Sequence, residues 1–359
     1  MKRSVLILFA FILIFGTWAC SAEEDTRPRN IIILIGDGMS FAHFQAGMLA
    51  SEQPLNIEKM RHIGMIKTSS ANNFITDSGA AGTALAAGIK TNNGYIGMDP
   101  EGNPVKSILH LASDNGLSTG VVVTCAVTHA TPAAFVAHQP SRHMAEEIAL
   151  DFLNSGIDVF IGGGRNHFEN REDGRNLLNE LIEAGYQLAL DMDEVKSAGT
   201  GKLAGLVAPG HPPRYDANRG DMLPEAVSKT IDILDQNPAG FYLMVEGAQI
   251  DWGGHANDVE YVVNEMLDFD RAVGAALDFA RQDGQTLVIV TSDHDTGGMA
   301  VMGFNKDTRE IRARWATDGH TGLVQPVFAW GPGSELFTGV YENTGVFDRM
   351  LELSGFSRN

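Results

Sequence analysis

Asn30-Ile31-Ile32-Ile33-Leu34-Ile35-Gly36 reads as a β-strand buried on both faces, because its unbroken apolar run leaves no polar side for solvent and glycine ends it. Such strands belong to parallel sheets covered by helices. Similar runs occur at Gly120–Thr124, Val159–Ile161, Phe241–Val245, Thr286–Thr291 and Val327–Trp330. Between them, helical patterns cover Val105–Ser113, Met144–Asn154, Leu177–Ala184, Pro224–Asp235 and about Asp258–Arg281. In the last of these, Val259, Val262, Val263, Met266, Val273 and Leu277 recur at helical spacing. Strands alternating with helices predict an α/β fold, a three-layer α/β/α sandwich around a largely parallel central sheet. Ala198–Gly220, rich in Gly, Pro and Arg, reads as a long surface loop. With no repeat or low-complexity tract, residues 23–359 read as one domain.

Of 359 residues, 44% are hydrophobic and 20% charged, enough for a sizeable core and against a disordered chain. Lys and Arg total 26 against 45 Asp and Glu, a formal charge of −19. Such a body repels phosphate backbones and anionic membranes and attracts cations, so no specific nucleic-acid binding is expected. Lys2 and Arg3 precede an apolar run, Val5–Phe15, and then the small residues Ala19-Cys20-Ser21-Ala22. This pattern predicts an export signal over residues 1–22. Thr17-Trp18-Ala19-Cys20 weakly resembles a bacterial lipobox. Acylation of Cys20 and plain cleavage nearby both stay open, giving an outer-membrane-anchored lipoprotein or a periplasmic protein. Cys125 is then the only cysteine left, so no internal disulfide forms, and it reads as a small buried core residue.

Ligands of open parallel sheets bind outside the carboxyl ends of the strands. Polar residues collect at those ends here: Asp37 after the first strand, Glu246 with Asp251 and His255 after Phe241–Val245, and Asp293-His294 after Thr286–Thr291. Thr128-His129-Ala130-Thr131 follows Gly120–Thr124. One acid after a strand is most often a helix cap. Four such ends together would repel one another unless cations neutralised them. His with Asp suits Zn²⁺, whereas Glu and Thr oxygens suit a harder ion such as Mg²⁺. In Asp251-Trp252-Gly253-Gly254-His255, the glycines would let the backbone fold both ligands toward one ion. Ser78, in Thr76-Asp77-Ser78-Gly79-Ala80-Ala81, sits at the start of a small-residue helix, where free N–H groups favour an anion. No persuasive Ser-His-Asp elbow occurs, which favours metal activation of a hydroxyl.

Seven segments in order resemble bacterial alkaline phosphatases: I-G-D-G-M at 35–39, T-D-S-G-A-A at 76–81, T-H-A-T-P-A-A at 128–134, S-R at 141–142, V-E-G-A-Q-I-D-W-G-G-H at 245–255, T-S-D-H-D at 291–295 and G-H-T-G at 319–322. The resemblance runs from Asn30 to about Trp330 and implies the alkaline-phosphatase-like form of the α/β/α sandwich. It implies a first zinc ion held by Asp251, His255 and His320, and a second held by Asp37, Asp293 and His294 with Ser78 as reactive ligand. It also implies a magnesium ion held by Asp37, Thr131 and Glu246. Arg142 would grip two phosphate oxygens through its planar fork. The implied activity is hydrolysis of phosphate monoesters through a phosphoserine at Ser78, releasing inorganic phosphate. His129 and Trp252 occupy positions that vary within the family; His129 would tune the third metal site toward zinc, and Trp252, lacking a charged donor, would hold product phosphate less tightly. Ser40 replaces a glycine common in the family. The family is commonly dimeric, so a homodimer is expected, although only 25 residues separate His294 from His320, too few for a large inserted subdomain. Two alternatives stand beside this: a phosphodiesterase of the same superfamily, and a non-catalytic metal- or phosphate-binding lipoprotein.

Overall fold

The computed structural model describes residues 27–358. The export-signal reading of residues 1–22 and the fate of Cys20 lie outside the described residues. The strands are β1 (Asn30–Gly36), β2 (His62–Lys67), β3 (Ser118–Ala126), β4 (Val159–Gly163), β5 (Gln187–Ala189), β6 (Leu203–Leu206), β7 (Phe241–Gly247), β8 (Thr286–Thr291), β9 (Asp295–Thr296), β10 (Ala300–Phe304), β11 (Ile311–Arg314), β12 (His320–Thr321), β13 (Gln325–Trp330) and β14 (Gly339–Glu342). Ten of them form one sheet in the order β14-β2-β13-β8-β1-β7-β3-β4-β6-β5, parallel except where β13 runs antiparallel to both β8 and β2. Helices α1 (Phe41–Ala50), α2 (Ser78–Ala87), α3 (Ile108–Asp114), α4 (Ala130–Val136), α5 (Ala145–Asn154), α6 (Asn166–Glu169) and α7 (Leu177–Glu183) are followed by α8 (Met192–Ser197), α9 (Met222–Leu234), α10 (Gln249–His255), α11 (Val259–Asp283) and α12 (Thr344–Ser354).

Alternate side chains of β1 feed different layers. Ile31, Ile33 and Ile35 join a core with α2, α3 and α4, whereas Ile32 and Leu34 join one with α9 and α11. Every β1 residue is buried, as its unbroken apolar run requires. Ala198–Gly220 departs from the loop reading: Leu203–Leu206 is a fully buried strand inserted between β4 and β5. Four residues without β-branching carry little strand signal, and neighbouring strands supply the order. β5 and β14 are likewise short, and they form the two edges of the sheet, where partial exposure breaks the apolar pattern.

Two helices open with the same device. Ser40 precedes α1 and its backbone N–H donates to His43 Nδ1 at 3.2 Å, and Ser107 precedes α3 and its backbone N–H donates to His110 Nδ1 at 3.2 Å; the two serine hydroxyls lie 2.8 and 2.9 Å from the same nitrogens. Each is a capping box with histidine in the usual Glu/Gln place. This gives Ser40, otherwise unexpected after Asp37-Gly38-Met39, a structural role. Burial lowers His110 to about 4, with the neighbouring His138 adding to the effect. A depressed histidine contributes stability above the unfolded value near 6.5 that is lost as pH falls toward 4, because the unfolded chain takes the proton first. His110→Gln restores the ordinary capping-box residue and removes that titration. Its unfolding free energy, from chemical denaturation, should therefore fall less between pH 6.5 and 4 than that of the wild type, by on the order of 3 kcal/mol at most. Equal pH slopes would contradict the assignment.

Candidate active site

β1 lies between β7 and β8, so the residues leaving these three strands converge at one edge. Asp37 follows β1, Glu246 lies near the end of β7, and Asp293-His294 follows β8; all four are fully buried. Gly38 turns with φ +69°, and a Cβ there would stand 2.7 Å from Thr296 Oγ1 and 2.9 Å from Asp251 Cα. Only glycine combines that backbone with that contact, which seats α10 and β9 against Asp37. The two glycines of α10 act differently from the sequence expectation. α10 is a regular helix, so Asp251 and His255 share a face by i, i+4 spacing alone. A Cβ on Gly253 would meet Val262 N at 2.8 Å, and one on Gly254 would meet Thr296 at 3.0 Å. The glycines serve packing.

Ser78 is the first residue of α2, whose N-cap is Asp77, with Asp77 Oδ1 accepting from Ala80 N at 3.0 Å. Ser78 Oγ lies 3.1 Å from His294 Nε2. That nitrogen is 3.2 Å from Asp293 Oδ2 and 3.4 Å from Asp37 Oδ1. His320 stacks on His294 with ring centroids 3.6 Å apart. Asp251 lies between the remaining histidines, with Oδ1 3.7 Å from His320 Nε2 and Oδ2 3.4 Å from His255 Nε2. Among the described residues, two of the three groups whose potential ligand atoms lie within 4.8 Å of one another are here, Asp37 with Asp293 and His294, and Asp251 with His294 and His320. His294 belongs to both, whereas His255 reaches the second through Asp251. His255 Nδ1 contacts Asp318 O at 2.5 Å and His320 Nδ1 contacts Thr76 O at 2.9 Å. A carbonyl partner calls for a proton on Nδ1, which leaves each Nε2 facing Asp251 as the nitrogen open to a cation once any proton on it is displaced.

The charge balance is unusual. Both carboxylate oxygens of Asp37, Oε1 of Glu246, Oδ2 of Asp293 and Oγ1 of Thr131 are buried without a hydrogen-bond partner. Burial, then the neighbouring carboxylates, raises Asp37 well above the carboxylate range. Burial pushes Glu246 up to about 8 and Asp293 up to about 7. Asp251 holds His255 up at about 9. Desolvated, unpaired oxygens of this number fit divalent cations, whose charge replaces the lost hydration. Arg142 approaches from beside α2: Nη1 is 3.3 Å from Asp77 Oδ2, which also accepts from Gly94 N at 2.9 Å. Asp77 therefore positions both Ser78 and Arg142. His129 lies 3.4 Å from Arg142 Nη2, and burial lowers it to about 3, so it stays a neutral imidazole. Trp252 packs edge-on against His129, ring centroids 6.2 Å apart.

Three contributors escaped the sequence reading. Thr296 donates to Asp251 Oδ1 and orients it. His211, from the Gly/Pro-rich segment, packs against Trp252 at 4.8 Å and His129 at 5.8 Å. Cys125, read as plain core, places Sγ 3.2 Å from Glu246 Oε2. None lies in a motif; topology alone brings them in.

Fold and site together define an α/β enzyme with its working groups at the C-terminal edge of a parallel sheet. The alkaline phosphatase family model matches residues 28–311. The chain is 34% identical to alkaline phosphatase 4 of Bacillus subtilis over 94% of its own length and 91% of that protein's. It is 31% identical to the Escherichia coli alkaline phosphatase over 92% of its length and 87% of that protein's. The alkaline phosphatase of the Antarctic bacterium TAB5 superposes with a TM-score of 0.87 at 40% identity, covering 92% of this chain and 99% of that one. A variant of the TAB5 enzyme with aspartate in place of a histidine has magnesium bound in its M3 site. The chain belongs to the alkaline phosphatase family, and it is a phosphatase that hydrolyses phosphate monoesters.

Proposed function

We propose that this protein is an exported, metal-dependent alkaline phosphatase that turns over through a phosphoserine at Ser78. The observation that carries this reading is the 3.1 Å approach of Ser78 Oγ to His294 Nε2 amid buried, unpaired carboxylates. Asp251, His255 and His320 would hold one zinc ion, Asp37, Asp293 and His294 a second, and Asp37, Thr131 and Glu246 oxygens a magnesium ion. Bound there, the cations would supply Lewis acidity at the attacking and departing oxygens. Ser78 Oγ, presented at the start of α2, attacks phosphorus as the alcohol leaves; water then attacks the phosphoserine and releases inorganic phosphate. Asp77 holds Arg142 so that its fork faces the phosphate oxygens, two parallel donors in a fixed plane. Trp252 offers phosphate no charged donor, which favours release. The magnesium-bearing TAB5 variant supports a third cation site in the family.

Residues 1–22 would direct export, with Cys20 either acylated or removed; the mass of the mature chain distinguishes these. A homodimer, as the family resemblance suggests, is checked by light scattering.

Hydrolysis of p-nitrophenyl phosphate and its bis-ester, with and without EDTA, tests the reading. The monoester should be strongly preferred and chelation should stop turnover. Preference for the bis-ester would make the protein a diesterase; tight phosphate binding without turnover would make it a binding protein. Arg142→Lys keeps the charge and loses the fork, so kcat/KM should fall on the order of tenfold or more. An unchanged kcat/KM would remove Arg142 from the phosphate site.

A further inference from the structure

Cys125 leaves the end of β3, which pairs with β7 through Val123 and Glu246. Two residues beyond that pair, on the same side of the strand, its thiol points at the Glu246 carboxyl, with Sγ 3.2 Å from Oε2. His129, four residues on at the N-terminus of α4, closes the arrangement. One ligand atom each from Cys125, His129 and Glu246 lies within 4.8 Å of the others. The remaining oxygen of Glu246 and Nδ1 of His129 are buried without partners, and Glu246 is fully buried. A buried thiol beside an orphan carboxylate oxygen and an orphan imidazole nitrogen is therefore more than a core residue.

The two donor sets that meet at Glu246 differ in kind. Asp37 and Thr131 offer hard oxygens, suited to magnesium; Cys125 and His129 offer sulfur and nitrogen, which select zinc or cobalt. We propose that Cys125 gives the third cation site a second mode, in which zinc or cobalt is held by Cys125 Sγ, His129 and Glu246. On binding, the sulfur lone pair forms the bond to the cation and the thiol proton leaves to solvent. This rests on the metal-dependent reading above for the existence of a third site, and goes beyond it in naming a thiolate ligand.

Cobalt reports the bond directly, because a cobalt–thiolate bond gives a near-ultraviolet charge-transfer absorption that oxygen and nitrogen ligands lack. Metal-free protein titrated with Co²⁺ in the absence of magnesium should show that band as the third equivalent binds. Cys125→Ser and Cys125→Ala should both lose it and weaken third-equivalent zinc binding by at least about tenfold, whereas Cys20→Ala should keep it. Excess magnesium should bleach the band. A third equivalent that binds without the band, or fails to bind, overturns the proposal, as does a band surviving in either Cys125 variant. Ser78→Ala should keep the band while losing turnover, so failure of the phosphatase reading and failure of this one show in different measurements.

Discussion

Ser78→Ala should lower turnover of a phosphate monoester by roughly 10³-fold or more while leaving the fold and metal content intact. The size of the effect follows from what Ser78 alone supplies. Its Oγ is the only hydroxyl at the start of α2 with a contact to the His294 nitrogen, 3.1 Å away. Alanine suits a helix whose next residues are already Gly79, Ala80 and Ala81, and Asp77 still caps it through Ala80 N. The variant should thus unfold with the wild type, and lost activity is attributable to the missing nucleophile. The residual rate reports direct attack by water on substrate held by Arg142. Substantial wild-type-like turnover in this variant would move the nucleophile elsewhere.

Asp37→Asn should act in opposite directions on the metal-free and metal-loaded protein. Without cations, Asp37 is fully buried beside Asp293, Asp251 and Glu246, and burial with these neighbours raises it far above the usual 3.8. A carboxyl raised on folding loses stability as pH climbs from the unfolded value through the folded one, since the folded chain must give up a proton it holds more tightly. Asparagine is nearly isosteric and has no such charge, so the metal-free variant should melt a few degrees higher than metal-free wild type at pH 8. With cations, the sign reverses. Under the proposed function Asp37 would serve both the second zinc and the magnesium, and a neutral amide is a poor partner for either ion. The melting-temperature gain on adding zinc and magnesium should shrink, and kcat should fall on the order of 10²-fold or more. Calorimetry with and without metals reads both halves. A variant destabilised in the metal-free state would show that Asp37 is instead satisfied by protein contacts.

Much of this site was legible because strand ends announce themselves. A β-branched run followed by an acid, as in Ile35-Gly36-Asp37 or Val290-Thr291-Ser292-Asp293, gives both the buried strand and the edge at which its candidate site residue emerges. Helix starts were legible for the same reason, as Ser78 shows. What could not be read is lateral placement. Thr296 reaches Asp251 across 45 positions, and Cys125 reaches Glu246 across 121, because β3 lies beside β7. No local pattern marks either. The role of Gly253 and Gly254 was misread for a related reason: spacing suggested flexibility toward an ion, whereas the constraint is Val262 and Thr296 packed against α10. The buried strand β6 was missed because Leu203-Ala204-Gly205-Leu206 is too short and too plain to stand out from its Gly/Pro-rich surroundings.

In the proposed function, divalent cations hold the buried oxygens of Asp37, Thr131, Glu246 and Asp293, which lack hydrogen-bond partners, together around the Ser78 hydroxyl. Elemental analysis of purified protein with phosphatase activity tests this most directly. Two to three divalent ions per chain, falling together with activity on dialysis against a chelator, is the predicted result. Full activity in protein carrying no stoichiometric divalent ion would contradict it.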